Sequence, residues 1–496
     1  TILKYGVPMH SDGVNQTMEY ANIYDGLFVY RTWFPYYIQA FSLWLLGNAT
    51  FAARLPFALG GVLSVWFLYF LALKLTAKKS VAFLSALFLA SSIPALLYFR
   101  TARYVGLPIL FNILLIFFYL GIFEKKKWNP VPLIITAILY FHTMYVEFAG
   151  SIIGIFLHFL IYRKTIAAEN INKVLPCAAA VATFTVPWAI YISPVFDKVY
   201  ETYHSASDLI DTSFVGYFKH IGAFLFQLNN HIFPVSALFF LFVKPLKPYR
   251  FQIQLLVIST IATVLTGSLN SIPLQQYLAA CFPLLYILLA LVIMEAVRGW
   301  VSFKVGIAAL LITTNLIHVG PFLPLKPLLR PPPDIIKKSS YLHGVYNTVM
   351  WQVALRSSYY DYWHEITHPY KGPLDTVVAF FQNHGAPGHT AFIDNEGDAF
   401  IFYSQMKLIR KLELSADDKP DWIILRGGQI SLEERRGGAS PMSQKLKTII
   451  QSNPYKKIIL KGPVDRINNS YYIQIHRFKT RPATKKAIIY QLQKTS

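Results

Sequence analysis

Three arginines, Arg31, Arg100 and Arg103, are the residues best suited to chemistry on a phosphate. A guanidinium is planar, grips two phosphate oxygens in one fork and keeps its proton at any physiological pH. Tyr30 and Tyr104 adjoin two of them in sequence, and His142 and Glu147 fall together in the run FHTMYVEF. A histidine or a carboxylate so placed can face a cavity and touch a substrate, or the two can simply cap and satisfy a short helix. Each arginine taken alone can also anchor a helix end by reaching toward lipid headgroups. No Walker A, GxGxxG, HExxH or GxSxG pattern stands in the sequence, so nucleotide hydrolysis, dinucleotide chemistry and serine-hydrolase chemistry have no support. Cys177 and Cys281 lie in separate apolar runs without the spacing of a zinc site or a disulfide framework.

The frame that must position these residues is a membrane. The 496-residue chain is 54% hydrophobic and only 14% charged, which is too apolar for an ordinary soluble protein. Ten segments approach the roughly 20 apolar residues that a spanning helix requires. They are 52–73, 80–98, 105–123, 129–147, 148–162, 174–193, 221–243, 251–268, 276–296 and 303–321. The aromatic stretch Trp33–Leu46 is too short to cross and is expected to lie along the interface. Basic residues recur in every second loop: Lys74/Lys78/Lys79, Lys125/Lys126/Lys127, Arg163/Lys164/Lys173, Lys244/Lys247/Arg250 and Arg298/Lys304. Those loops are therefore predicted to face the cytoplasm, and the net charge of +21 reflects topology rather than a nucleic-acid partner. Arg31, Arg100 and Arg103 all fall on the opposite, outer side, where the rule does not account for them. That shared level makes one common site a better explanation than three coincidences.

A Pro-rich stretch, 321–333, precedes a polar sequence of globular type. Helices are predicted at Leu374–Asn383, Ala399–Ser404 and Ser443–Gln451, and strands at Thr390–Asp394, Trp422–Arg426, Lys457–Leu460 and Tyr471–His476. The organisation expected is a first extracytoplasmic loop with interfacial helices over 1–51, an α-helical polytopic membrane domain over 52–321 and a C-terminal extracytoplasmic α/β domain over 334–496. The chain opens on Thr1 with polar residues, and a preceding piece with a first membrane helix is expected.

The run Asn48-Ala49-Thr50-Phe51-Ala52-Ala53-Arg54-Leu55-Pro56, preceded by Ser42-Leu43-Trp44-Leu45-Leu46-Gly47, resembles the dolichyl-phosphate-mannose protein mannosyltransferase-like superfamily. That group contains the lipid A aminoarabinose transferase, and its members read KPPLxYWLxALSxxLFGxNEFAARLP. In this register Arg31 falls on the Lys of KPP, while Thr32 and Trp33 replace the two prolines. Ala102-Arg103-Tyr104 resembles the A-R-x-D element, with Val105 in place of Asp. Gln276-Tyr277 followed by Pro283 resembles R-Y-L-x-P-x-x-P, with Gln for Arg. Pro369 to Pro373, Phe402-Tyr403 and Lys419-Pro420-Asp421-Trp422 look like the extracytoplasmic domain of bacterial members.

The resemblance implies a glycosyltransferase of the GT-C type in the cell (inner) membrane. Its donor would be a polyprenyl-phosphate sugar arriving through membrane lipid, and its acceptor a glycan, lipid or protein. Arg31, Arg100 and Arg103 would bind the donor phosphate, and Tyr30, Tyr104, His142, Glu147, Gln276 and Tyr277 would line the substrate cavity. An acidic residue of the first outer loop would deprotonate the acceptor. The family places that residue about a dozen positions before Lys4-Tyr5-Gly6, ahead of Thr1, which leaves Asp12, Glu19 and Asp25 as the acidic substitutes within the loop. A divalent metal ion is the cofactor to consider, and no nucleotide cofactor is expected. A transporter or flippase of lipid-linked glycans would use the same basic cavity without a base, although no paired half-sequences of the transporter kind are visible. A non-catalytic subunit of a glycan assembly complex is the third reading.

Overall fold

In the computed structural model the described residues are 1–15, 26–29, 31–124, 127–206, 214–270, 273–297, 299–325, 355, 357–367, 373–386, 388–393, 397–409, 414–415, 417–425, 441–467 and 477–493. Lys125, Lys126, Arg298, Pro369 to Gly372, Asp394, Arg426 and the strand expected at Tyr471–His476 lie outside them.

Each of the ten apolar segments has a helical counterpart. Thr50–Thr76, Tyr104–Phe123, Tyr145–Thr165, Ala168–Val195 and Lys244–Gly267 are long and apolar enough to cross a membrane unbroken. Two more candidates are bent pairs, Lys79–Ser91 with Ile93–Arg100 at 59° and Phe214–His231 with Val235–Phe242 at 87°, and Val131–Phe141, Cys281–Ala296 and Val301–Thr313 are shorter. The first bend has a local cause. Ser92 leaves helical geometry and its hydroxyl takes the amide of Ala95, while Pro94 sits in the first turn of the new helix, where its missing N–H is harmless.

The helices are held by small polar links as well as apolar packing. Asn112 lies inside the run Leu107–Tyr119, and its amide donates to the carbonyl of Ala280 at 2.7 Å. Tyr286 donates to Ser92 at 2.6 Å, so the bend is tied to the helix Cys281–Leu291. At the predicted cytoplasmic side Lys78 meets Glu295 at 2.6 Å, and that hydrogen-bonded carboxylate holds the ammonium pKa above its ordinary value.

One boundary differs from expectation in a way that moves a candidate residue. The segment expected to run from 129 to 147 ends at Phe141, and the next helix begins at Tyr145. Met144 is extended between them, with φ −161° and ψ 104°. Glu147 therefore stands in the first turn of the second helix rather than at the end of the first.

The C-terminal portion forms a five-stranded mixed sheet in the order β2-β1-β3-β5-β4. Its strands are β1 Thr390–Ile393, β2 Lys407–Leu408, β3 Trp422–Leu425, β4 Tyr455–Ile467 and β5 Arg477–Leu492. β1 pairs in parallel with β2 and β3, and β5 runs antiparallel to β3 and β4. The expected helices appear as Pro373–His384, Gly397–Ser404 and Pro441–Ser452. The strand β5 was not expected, because its first half, RFKTRPATKK, reads as a basic loop. Only Ala487 to Leu492 carries the apolar alternation of a strand, and that is the part paired with β3.

The first loop is stitched to this sheet. Asp12 accepts the amides of Val14 and Asn15, and the turn so made presents Asn15 to the edge strand β2. There the Asn15 side chain donates to Met406 O at 3.0 Å and accepts from Leu408 N at 2.6 Å, taking the place of a further strand. Thr50 and Tyr403 share a second link at 2.7 Å.

Candidate functional site

The hairpin after Arg100 builds the site. Thr101 leaves the helix with φ −91° and ψ 140°, and its hydroxyl bonds back to Tyr98 O at 2.9 Å. Arg103 is extended, Tyr104–Gly106 forms one tight turn, and Pro108 starts the next helix. A Cβ on Gly106 would stand 3.0 Å from the Phe99 ring and 3.2 Å from the Tyr98 carbonyl, so only glycine lets the turn lie this close against the helix end. Tyr104 is thereby buried and fixed.

Two guanidinium groups converge on that ring. Arg31 donates a hydrogen bond to the Tyr104 hydroxyl, and its guanidinium carbon lies 5.3 Å from the ring centroid. Arg103 approaches the same ring at 5.9 Å. The two cations are therefore no more than about 11 Å apart, although 72 residues separate them in sequence. An aromatic face offsets part of their mutual repulsion, by roughly 0.5–2 kcal/mol for each cation. An anion seated between them would offset more, since neither arginine can shed its proton.

The segment that carries Arg31 is clamped against the turn at His142. Thr32 donates to Thr143 O at 2.7 Å, and Phe34 N donates to His142 O at 3.2 Å. Trp33 packs edge-on against Trp188 at 4.9 Å, and its indole N–H bonds Phe28 O at 2.7 Å. The position of Arg31 is thus set by three elements distant in sequence.

The other predicted site residues fall as follows. Arg100 is the last helical residue before the turn and points elsewhere: it stacks on Tyr362 at 5.8 Å, so the trio reduces to a pair plus one. The chain changes direction at Thr101, which is why Arg100 and Arg103 diverge. The His142 ring is half-buried against Phe141 and Trp188, at 5.0 and 5.8 Å. Glu147 is fully buried within the helix pack, near the amides of Ala279 and Ala280 at the head of the helix Cys281–Leu291. It lines no open cavity. Gln276 is buried and Tyr277 half-buried in the turn Gln275–Leu278. The carboxylate of Asp12 is engaged in the turn described above. Glu19, Asp25 and Tyr30 lie outside the described residues. Among the described residues no group of three or more His, Cys, Asp or Glu converges where a metal ion could be held.

Asn112 was not singled out in the sequence, and Tyr98 stood there only among the aromatic residues crowding the outer level. A lone amide in an apolar span is the signal that marks the first, since intramembrane polar groups are costly unless paired. Tyr98 carries no such signal, because a tyrosine near a helix end reads as part of the interfacial aromatic belt.

These features define a polytopic helical membrane protein with a C-terminal α/β domain and a two-cation site at one end of the helix pack. Residues 31–191 match the family model of dolichyl-phosphate-mannose-protein mannosyltransferases. The motifs at Asn48–Pro56 and Ala102–Tyr104 fall inside that segment, and so do Arg31 and Arg103. The whole fold is similar to the crystal structure of ArnT from Cupriavidus metallidurans in the apo state, with a TM-score of 0.52 and 12% identity, covering 88% of this chain and 88% of that chain. The structure of ArnT from the same organism bound to undecaprenyl phosphate aligns with a TM-score of 0.48 and 13% identity over 81% of this chain and 84% of that one. No curated protein matches the chain.

Proposed function

We propose that this protein is a glycosyltransferase that moves a sugar from a polyprenyl-phosphate donor to an acceptor at the outer face of the membrane. The observation that carries the reading is the convergence of Arg31 and Arg103 on Tyr104. Both arginines lie within the segment that matches a family named for a dolichyl-phosphate sugar donor. When the acceptor attacks the anomeric carbon, the sugar–phosphate bond breaks and negative charge gathers on the departing lipid phosphate. Fixed guanidinium groups beside that phosphate stabilise the transition state more than the ground state, an effect of about 3 kcal/mol per well-placed donor. The test is turnover by purified protein in lipid nanodiscs, with a polyprenyl-phosphate sugar labelled in the sugar. Release of free polyprenyl phosphate together with labelled product supports the reading; movement of intact donor across proteoliposomes without bond cleavage would replace it with the flippase.

The outer placement of the site and of the α/β domain is part of this proposal and rests on basic residues in alternate loops. A single cysteine at Ser404, which lies in the helix Gly397–Ser404 of the α/β domain, is expected to react with a membrane-impermeant maleimide in intact cells. A cysteine at Lys127, in the basic loop, is expected to react only after permeabilisation. The reverse pattern would move the arginine pair to the cytoplasmic side and sink the assignment of an outer-face donor.

A further inference from the structure

The helix Ser358–Thr367, sequence SYYDYWHEIT, is built inside out. Tyr359, Tyr360, Trp363 and Ile366 recur at helical spacing on one face, and that face is exposed: 39%, 64%, 54% and 53% respectively. The opposite face carries Ser358, Asp361 and His364 around the single ring of Tyr362, and these four are half-buried against the protein. In water the burial would be reversed, because a free helix hides its aromatic face and solvates its polar one. An apolar face left outward together with a polar face inward fits a surrounding medium that is itself apolar.

Position supports the same reading. The helix packs on Ile93–Arg100 and Val301–Thr313, with Tyr362 seated on Ile93 and Leu97 and stacked on Arg100 at 5.8 Å. Ser357 donates to the carbonyl of Thr313, the last helical residue of its span. The helix Val301–Thr313 on which it packs is itself exposed and apolar, with Val301, Phe303, Val305 and Leu310 all facing outward. Arg100 and Thr313 both mark helix ends, so Ser358–Thr367 lies at the level where the spans terminate. The inward polar face is accounted for as well. Ser358 borders a cavity of about 40 Å³ that Ser91, Ser92, His231, Asn315 and His318 also line, which has room for roughly three waters.

We propose that Ser358–Thr367 is an interfacial helix embedded in the outer leaflet, with its aromatic face against lipid and its first residue, Ser358, at a hydrated recess beside Ser92. Tyrosine and tryptophan are the side chains that settle at the headgroup boundary, where an apolar ring and a polar tip are both satisfied. The helix would thus fasten the α/β domain to the bilayer beside the donor site. The inference depends on the chain being a membrane protein and not on the reaction, so it stands or falls separately from the proposed transfer.

The test is collision accessibility of nitroxide labels placed one at a time at Trp363, Ile366 and Ser358 in nanodiscs. The buried Cys177 and Cys281 remain unlabelled. Labels at 363 and 366 are expected to be several-fold more accessible to oxygen than to a water-soluble nickel complex, and the label at 358 is expected to be shielded from oxygen. Preferential collision of 363 and 366 with nickel overturns the proposal. So does dipolar broadening between labels on two molecules, which would show a second copy covering the face. A conservative measurement accompanies it: emission of the wild type minus that of Trp363→Phe, in lipids brominated at the upper acyl chain. Trp363 is expected to lose at least half of its emission, and no quenching there overturns the proposal even if a labelled variant fails to fold.

Discussion

Arg103→Ala and Arg31→Ala are each expected to lower kcat for transfer from a polyprenyl-phosphate sugar by about 100- to 1,000-fold, the loss that follows removal of one preorganised donor to a developing anion. Folding should survive. Arg103 is exposed, and Arg31 lies in a segment already held through Thr32, Trp33 and Phe34. Lysine keeps the charge but not the fork, so Arg31→Lys and Arg103→Lys should fall between wild type and alanine. Tyr104→Phe separates the two contacts that Arg31 makes, because it removes the hydroxyl and keeps the ring. Its loss should be nearer tenfold and should appear in the Arg31 background as no further loss. The double variant Arg31→Ala/Arg103→Ala is expected to cost less than the product of the singles, since both cations serve one phosphate. Initial rates with thermal melting of each variant in detergent check this. Full activity in both folded alanine variants would make the arginines interfacial anchors.

How far this site could be read from sequence depended on which interactions decide each residue's place. Arg31 and Arg103 stood out in the sequence because charge on the side predicted to be poor in Lys/Arg has no bland topological account. Their convergence was not, since it depends on the turn at Thr101 and on the clamp of Thr32 to Thr143. The stacking of Arg100 on Tyr362 was hidden for the same reason: periodicity puts Arg100 at the helix end and is silent about which neighbour its side chain meets. Glu147 was misread because a three-residue break at His142 shifts it from the end of one helix to the first turn of the next, inside the helix pack. Apolar composition on both sides of that break hides it. The ten apolar segments, in contrast, follow from composition alone, because backbone groups in hydrocarbon must be satisfied within each segment. The bend at Ser92 has a visible signal in Pro94, whereas β5 has almost none, being a basic stretch that becomes a strand only by pairing with β3 and β4.

Gly154→Leu is expected to abolish the folded membrane domain, and Gly154→Ala to lower its melting temperature measurably. Gly150 and Gly154 lie one turn apart on the helix Tyr145–Tyr162 and face Thr263 and Ser259 of the helix Arg250–Gly267. A Cβ on Gly150 would stand 2.6 Å from the Cα of Thr263, and one on Gly154 would stand 2.5 Å from the Cα of Ser259. Both obstacles are backbone, so no rotamer change relieves them. Small residues let two helices meet backbone to backbone, and dispersion and weak polar contacts at that distance take the place of the hydrophobic drive that lipid does not supply. One methyl forced into such a contact costs about 1–3 kcal/mol, and an isobutyl group exceeds what the pair can yield. Gly222→Ala is the control, because a Cβ there meets nothing within 4 Å. Within the helix Phe214–His231 it should leave the melting temperature unchanged or raise it, since alanine is worth roughly 0.5–1 kcal/mol over glycine in a helix interior. Melting of Gly154→Ala at the wild-type temperature would refute the close packing. The same helix carries Glu147 three residues before Gly150, so a shift of the pair would also displace that carboxylate from the amides of Ala279 and Ala280. A folded Gly150→Ala variant should therefore melt below the wild type, as Gly154→Ala does.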